Sequence, residues 1–232
     1  MKYMGYVICF ILEISLIIIH IPIELCKLFI NLDSLSSSPN TDNPTVILVE
    51  RWFRRNILHV IFKKYLEKHG FRVFSINTSL FYGDFDLAAK KLDDLIEKNQ
   101  LEKIVLVGIS GGGVTCLQYL QFHEGWKKVV LFISLAAPLK GTWLAKFGPP
   151  FKSIKEMIPD SVFMRKLHGD KLLHPEKIVT ISAKYDEMVP CRYNFLEGVR
   201  NITFDIFGHN LIHTIYIPTF VHTVGLIKSL VK

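Results

Sequence analysis

The stretch KIVLVGISGGGVTCLQYLQF, residues 103–122, joins a predicted strand to a predicted helix. Residues 104–107 form a short apolar run typical of a buried strand, and the apolar residues from 114 to 122 fit a helix packed on a sheet. Between them lies Gly108-Ile109-Ser110-Gly111-Gly112, a G-x-S-x-G motif. In such a motif the serine occupies a strained strand-to-helix turn, and the glycines let strand and helix approach closely. The motif predicts that Ser110 is a nucleophile.

A glycine-rich turn between a strand and a helix is also typical of phosphate-binding loops. Here no lysine follows the glycines, as a P-loop requires, and the sequence contains no G-x-G-x-x-G. The nucleophile interpretation is therefore favoured over a nucleotide-binding one.

Length and composition suit one α/β domain with a short appendage, since the chain has 232 residues of which half are hydrophobic. The formal net charge is +7, but the basic residues are scattered and form no stripe for a nucleic acid. The four cysteines, which have neither C-x-x-C nor metal-ligand spacing, are Cys9, Cys26, Cys116 and Cys191. We therefore expect no disulfide framework, no metal site, no cofactor and no nucleic-acid partner.

An apolar segment near the N-terminus, residues 4–21, approaches the length of a membrane span. Glu13 in its middle is costly in hydrocarbon, and Pro22 would end or kink a helix. We favour a membrane anchor or signal-anchor helix over a cleaved signal peptide or a helix packed on the protein's own surface. The flanking charges, Lys2 and Lys27, are too balanced to predict which side of the membrane the protein occupies.

Three regions follow from this pattern: an N-terminal hydrophobic helix (1–31), a polar linker (32–44) and an α/β domain (45–232). Within the domain, strands alternate with helices, which predicts a mostly parallel sheet of about six strands with helices on both faces. The predicted strands are 45–49, 71–76, 104–107, 128–135, 178–183 and 202–207, and the predicted helices include 56–69 and 84–99. Residues 139–175 break the pattern and are interpreted as a short irregular cap. Its apolar side chains would either bind an acyl chain or simply pack on the sheet.

Three polar residues follow predicted strands in the order serine, acid, histidine: Ser110, Asp186 and His209. Reactive groups gather at the carboxyl ends of parallel strands. A serine hydroxyl becomes nucleophilic when a histidine takes its proton, and a carboxylate fixes the histidine tautomer. We therefore predict a catalytic triad of these residues. The alternatives are Glu187 for the acid and, for the base, His174, His213 or His222.

From residue 45 onward the chain resembles the α/β-hydrolase superfamily, and within it the small bacterial lipases and esterases. The resemblance lies in the segments VILV, LVGISGGG, AAPLKGT, SAKYDEMVP and FGHNL. It implies acyl transfer through a Ser110 acyl-enzyme that is hydrolysed by water activated by His209. By matching position it also implies an oxyanion hole formed by the backbone N–H groups of Trp52 and Gly111. The chain departs from the family at Glu50-Arg51, where the family usually has His-Gly, so we expect the loop to take a different path.

The sequence thus predicts a membrane-associated serine hydrolase that cleaves carboxylic esters, with a small-molecule ester or a lipid as substrate. Two alternatives remain open. One is an acyl thioesterase with the same triad, and the other is an inactive, membrane-anchored binding or scaffold protein with a hydrolase fold.

Overall fold

Six parallel strands form the centre of the protein, in a computed structural model that describes residues 8–15, 43–51, 59–79, 83–169 and 171–230. Their order across the sheet is β2-β1-β3-β4-β5-β6, and each neighbouring pair is parallel. This confirms the predicted six-stranded parallel sheet. The strands are β1 (Thr45–Arg51), β2 (Val73–Asn77), β3 (Ile104–Ser110), β4 (Val129–Leu135), β5 (Ile178–Tyr185) and β6 (Arg200–Phe207).

Helices cover both faces of this sheet, because side chains alternate along each strand and leave apolar groups on either side. In β1, Ile47 and Val49 pack in one hydrophobic cluster with the helices Phe85–Lys98 and Gly111–Phe122. Val46 and Leu48 pack in a second cluster with the helices His59–Lys68 and Ile217–Lys228. The helices are α1 (His59–Lys68), α2 (Phe85–Lys98), α3 (Gly111–Phe122), α4 (Lys152–Glu156), α5 (Val162–Gly169), α6 (His209–Thr214) and α7 (Ile217–Lys228).

Strand β1 continues through Arg51, two residues beyond its predicted end. All seven of its residues are buried, and Arg51 lies opposite Ser110 in the register with β3. The prediction that a loop, residues 50–55, begins at Glu50 is therefore wrong: Glu50 and Arg51 are the last residues of a central strand, although neither is apolar.

The cap between 139 and 175 contains a 3-10 turn, Trp143–Phe147, and the short helices α4 and α5. Most of its apolar side chains pack on the sheet domain: Ile154 and Met157 are buried, and the ring of Phe163 stacks on Phe85 with centroids 5.2 Å apart. Three others face outward, since Trp143, Phe147 and Val162 are 43%, 79% and 75% exposed. The packing alternative thus holds for the buried cap residues, and the acyl-binding alternative stays a prediction.

Of the N-terminal region, residues 8–15 are described and are helical. In the described part of the chain, no helix has both the length and the apolar character needed to span a bilayer. The rest of the predicted anchor and nearly all of the predicted linker lie outside the described residues. The membrane-anchor interpretation therefore stays a prediction.

Candidate active site

Ser110 lies at the sharp junction between β3 and α3. Its backbone has φ 50° and ψ −128°, a left-handed conformation that costs a residue with a Cβ about 1–3 kcal/mol. Strain of this kind persists where the surrounding structure enforces it, and it concentrates at functional sites. Ser110 is the last residue of β3 and therefore lies at the carboxyl edge of the sheet.

The glycines of the motif allow this turn because neighbouring backbone lies where their side chains would be. A Cβ on Gly112 would lie 1.9 Å from the carbonyl oxygen of Val49 in β1. One on Gly108 would lie 2.5 Å from the Cα of Gly113 in α3. Strand and helix can therefore meet at this distance only if both positions lack side chains.

The side chains of Ser110, His209 and Asp186 form one hydrogen-bonded chain. His209 Nε2 is 3.0 Å from Ser110 Oγ, and His209 Nδ1 is 2.8 Å from Asp186 Oδ2. The other oxygen of Asp186 accepts hydrogen bonds from the backbone N–H groups of Met188, at 2.9 Å, and Val189, at 2.6 Å. This orients Oδ2 to accept from Nδ1–H, which leaves Nε2 as the acceptor for the Ser110 hydroxyl proton.

The imidazole of His209 is 2% exposed, and its protonation depends on nearby carboxylates. Burial lowers the pKa of His209, but the negative charges of Asp186, Glu187 and Glu13, with the hydrogen bond from Asp186, outweigh it and raise the pKa above its ordinary value. A proton taken from Ser110 would thus be held more strongly than by a free imidazole.

The alternative acid and bases lie elsewhere. Glu187 accepts a hydrogen bond from the backbone N–H of His209 at 3.0 Å and does not contact the ring nitrogens. His213 is buried, and its Nδ1 lies 3.0 Å from Nε2 of His59. His174 and His222 are exposed, with ring nitrogens near Glu176 and the carbonyl of Pro218. Of these candidate bases, His209 is the one that the structure places in a hydrogen bond with Ser110 Oγ.

Of the two predicted oxyanion donors, the structure describes Gly111. Gly111 is the first residue of α3, so its backbone N–H belongs to the first turn, where N–H groups have no partner within the helix. Trp52 lies outside the described residues, and its proposed role stays a prediction.

Arg51 takes a conformation that needs no glycine: it is extended in β1, and it is not among the residues with positive φ. Its guanidinium donates to the carbonyl oxygens of Thr78 at 2.9 Å, Gly83 at 3.2 Å and Asp84 at 3.2 Å. It also lies 4.7 Å from the centroid of the Phe85 ring. Burial lowers the pKa of Arg51 to about 10, partly offset by the charges of Glu156 and Asp84. The side chain thus fastens the segment between β2 and α2.

A small cavity of about 30 Å³ adjoins Ser110. Three buried polar side chains in contact with one another line part of it: Glu50 Oε1 is 2.9 Å from His59 Nδ1, and His59 Nε2 is 3.0 Å from His213 Nδ1. The volume suffices for a water molecule. Sequence reasoning did not find His59, because it sits on a helix face and lies 154 residues from its partner His213.

Residues capable of holding a metal are not clustered: the described ranges contain no group of three or more His, Cys, Asp or Glu arranged for a metal ion. Three of the four cysteines, Cys9, Cys116 and Cys191, are free thiols.

Comparison with known proteins rests on structure. No family model matches the sequence, and no curated protein matches it. Among solved structures, the mature lipase BlEst2 of Bacillus licheniformis superposes with a TM-score of 0.67 at 16% identity, covering 83% of this chain and 96% of that one. The phospholipase PlaB of Legionella pneumophila gives 0.70 at 11% identity, covering 80% and 59%. The esterase EaEST of Exiguobacterium antarcticum gives 0.55 at 16% identity, covering 80% and 92%.

Each of these likenesses covers 80% or more of this chain. At such low identities they establish the fold alone. The chain resembles the α/β-hydrolase superfamily and has its fold.

Proposed function

We propose that the protein is a serine hydrolase of carboxylic esters. The observation that carries this proposal is the hydrogen-bonded chain Ser110–His209–Asp186, in which Ser110 occupies the strained turn between β3 and α3 at the carboxyl edge of the sheet. Such geometry is how a nucleophile, a base and an orienting acid are recognised, independently of sequence.

In the proposed mechanism, Ser110 Oγ attacks the ester carbonyl carbon while His209 Nε2 takes the hydroxyl proton. Asp186 stabilises the resulting imidazolium through Nδ1. The oxyanion of the tetrahedral intermediate accepts a hydrogen bond from Gly111 N–H and, as a second donor, Trp52 N–H. Preorganised donors of this kind contribute about 3–4 kcal/mol each to transition-state stabilisation.

The imidazolium then protonates the leaving alcohol, and the acyl group stays on Ser110. A water molecule, deprotonated by His209, attacks this acyl-enzyme and releases the carboxylic acid. The proton returns to Ser110 as the tetrahedral intermediate collapses. The bonds and protons balance without a cofactor.

Lipid or acyl esters are the proposed substrates. The similar structures are those of a lipase, a phospholipase and an esterase, which supports esters as the substrate class. The outward-facing cap residues Trp143, Phe147 and Val162 supply exposed apolar surface that an acyl chain could contact.

The N-terminal segment is proposed to attach the protein to a membrane. In residues 8–15 the charged side chain is turned inward and the apolar ones outward: Glu13 is 2% exposed. The five outward apolar side chains, between 40% and 56% exposed, are Ile8, Phe10, Ile11, Leu12 and Ile14. An apolar outer face suits a lipid surface.

The activity is tested by labelling the intact protein with a fluorophosphonate, which reacts with activated serines. We expect labelling that is lost in Ser110→Ala and hydrolysis of p-nitrophenyl esters over a series from acetate to palmitate. An unlabelled folded protein would support the scaffold alternative, and selective turnover of acyl thioesters would support the thioesterase.

Membrane attachment is tested by fractionating cells that express the full chain, a form lacking the residues before Asn31, and the double variant Ile11→Ser/Ile14→Ser. We expect both altered forms to leave the membrane fraction. The matched control is Ile61→Ser, because Ile61 is 46% exposed on α1. A folded double variant that stays with the membranes contradicts this role for the apolar face.

A further inference from the structure

The first turn of α6, which presents His209 to Ser110, is held by two carboxylates. The first N–H groups of a helix have no partner within it and need other acceptors. Glu187 accepts from His209 N at 3.0 Å. Glu13 accepts from Asn210 N at 2.9 Å through Oε1 and from Leu211 N at 2.8 Å through Oε2. Three consecutive backbone donors at the start of α6 are thus bound by glutamates.

The Glu13 carboxylate binds this turn through several hydrogen bonds. Oε1 also accepts from Asn210 Nδ2 at 2.7 Å, so the carboxylate receives three hydrogen bonds. The segment that carries Glu13 packs against the end of β6, since the rings of Phe10 and Phe207 meet edge to face with centroids 5.4 Å apart. Losing a buried hydrogen bond to a charged acceptor typically costs more stability than losing one between neutral groups.

The geometry points to Glu13 as a positioning residue for His209, so that residues 8–15 belong to the catalytic apparatus. This inference rests on the proposed hydrolase function. Glu13 does not contact the reacting atoms. It fixes the helix whose first residue is the base, and a displacement of that ring from Ser110 by about 1 Å can cost on the order of a hundredfold in rate.

The charge of Glu13 also affects the pKa of His209. Several titratable groups face His209: Asp186 at Nδ1, Glu187 at its backbone, Glu13 at the backbone of the next two residues, and His213 edge-on with ring centroids 5.2 Å apart. Glu50 and His59 line the same small cavity as His209. Burial and the charge of Glu13 raise the pKa of Glu187 to about 7. A change at Glu13 therefore alters Glu187 too, and the two effects on His209 must be separated.

The experiment uses the full chain and the variant Glu187→Gln as a parent, because its amide oxygen can still accept from His209 N while its charge is absent. Adding Glu13→Gln then removes one negative charge near His209 and places an amide NH₂ against a backbone donor. We expect kcat to fall about tenfold or more with little change in KM. We also expect the acid limb of kcat/KM to move to lower pH, because the pKa of His209 falls.

The control is Glu102→Gln, the same substitution at an exposed site, for which we expect parental kinetics. Glu13→Asp keeps the charge but shortens the reach. It should lower kcat while leaving the acid limb in place, and it replaces Glu13→Gln if that variant does not fold.

The imidazole pKa of His209, followed by nuclear magnetic resonance, gives a readout that needs no turnover. A folded double variant with parental kcat and a parental His209 pKa would overturn the positioning role. Absence of fluorophosphonate labelling in the folded parent protein would instead overturn the hydrolase proposal, so the two failures are distinguishable.

Discussion

The carbonyl oxygen of Val49 occupies the space in which Gly112 would place a side chain, since a Cβ there would lie 1.9 Å from that oxygen. The carbonyl group of Val49 belongs to the backbone of β1, and Gly112 belongs to the backbone of α3. Neither can shift without disturbing a closely packed element. We expect Gly112→Ala to destabilise the protein by about 3 kcal/mol or more, measured by urea unfolding.

The matched control for this substitution is Gly225→Ala in α7, where an added Cβ meets nothing within 4 Å. That change should stabilise the protein by about 0.5–1 kcal/mol, because alanine has the higher helix propensity. Equal effects at the two glycines would refute the crowding argument.

For the triad we expect Ser110→Ala and His209→Gln each to lower kcat on the order of 10⁴-fold or more, with Asp186→Asn costing less. Asp186 acts through the histidine, whereas the other two residues exchange the proton directly. The measurement is hydrolysis of p-nitrophenyl butyrate, with folding checked by circular dichroism. Substantial residual activity in a folded Ser110→Ala variant would place the nucleophile elsewhere.

Arg51→Met should destabilise the fold by about 3 kcal/mol or more, because it strips the donors from three buried or half-buried carbonyl oxygens. The control is Arg72→Met. Arg72 is exposed and also lies over a ring, 4.8 Å from the centroid of Phe74. We expect it to change stability by less than about 1 kcal/mol, and similar losses in both variants would assign the effect to the ring contact alone.

Glu187 predicts a pH dependence of stability. Burial, then the charge of Glu13, raise its pKa from 4.5 to about 7 in the folded protein. A raised folded-state pKa favours the protonated form, so its contribution is complete below 4.5 and is lost as the pH rises through about 7. Glu187→Gln, which cannot ionise, should therefore gain Tm over the parent as the pH rises through this window.

The measurement for Glu187 is Tm by differential scanning fluorimetry on the acid and alkaline sides of the window. Below pH 4.5 the ionisation of Glu187 should contribute no difference between variant and parent. A Tm difference that is the same at every pH would show that the ionisation of Glu187 is not involved.

Sequence reasoning located Ser110, Asp186 and His209 because each follows an apolar strand, and parallel strands bring such ends to one edge. The six strands were predictable for the same reason: their apolar runs are continuous, as sheets buried on both faces require. What decided these predictions was local pattern combined with one rule of topology.

The remaining features depend on contacts that no local pattern records. Glu50 and Arg51 are charged, and their place at the end of a buried strand depends on His59 and on the carbonyl groups after β2. Glu13 was interpreted as an obstacle to membrane insertion, whereas its partner Asn210 lies 197 residues away. A buried carboxylate cannot be predicted without knowing which backbone donors meet it.

That separation between Glu13 and Asn210 has a consequence for synthesis. At a rate of about 5–20 residues per second, about 10–40 s pass between the emergence of the two partners from the ribosome. During this interval Glu13 has no backbone donors of α6 to bind, and residues 8–15 have no surface to pack against. Their apolar side chains are then accessible to any factor that binds nascent chains. Docking of residues 8–15 against α6 can therefore take place only near the end of synthesis.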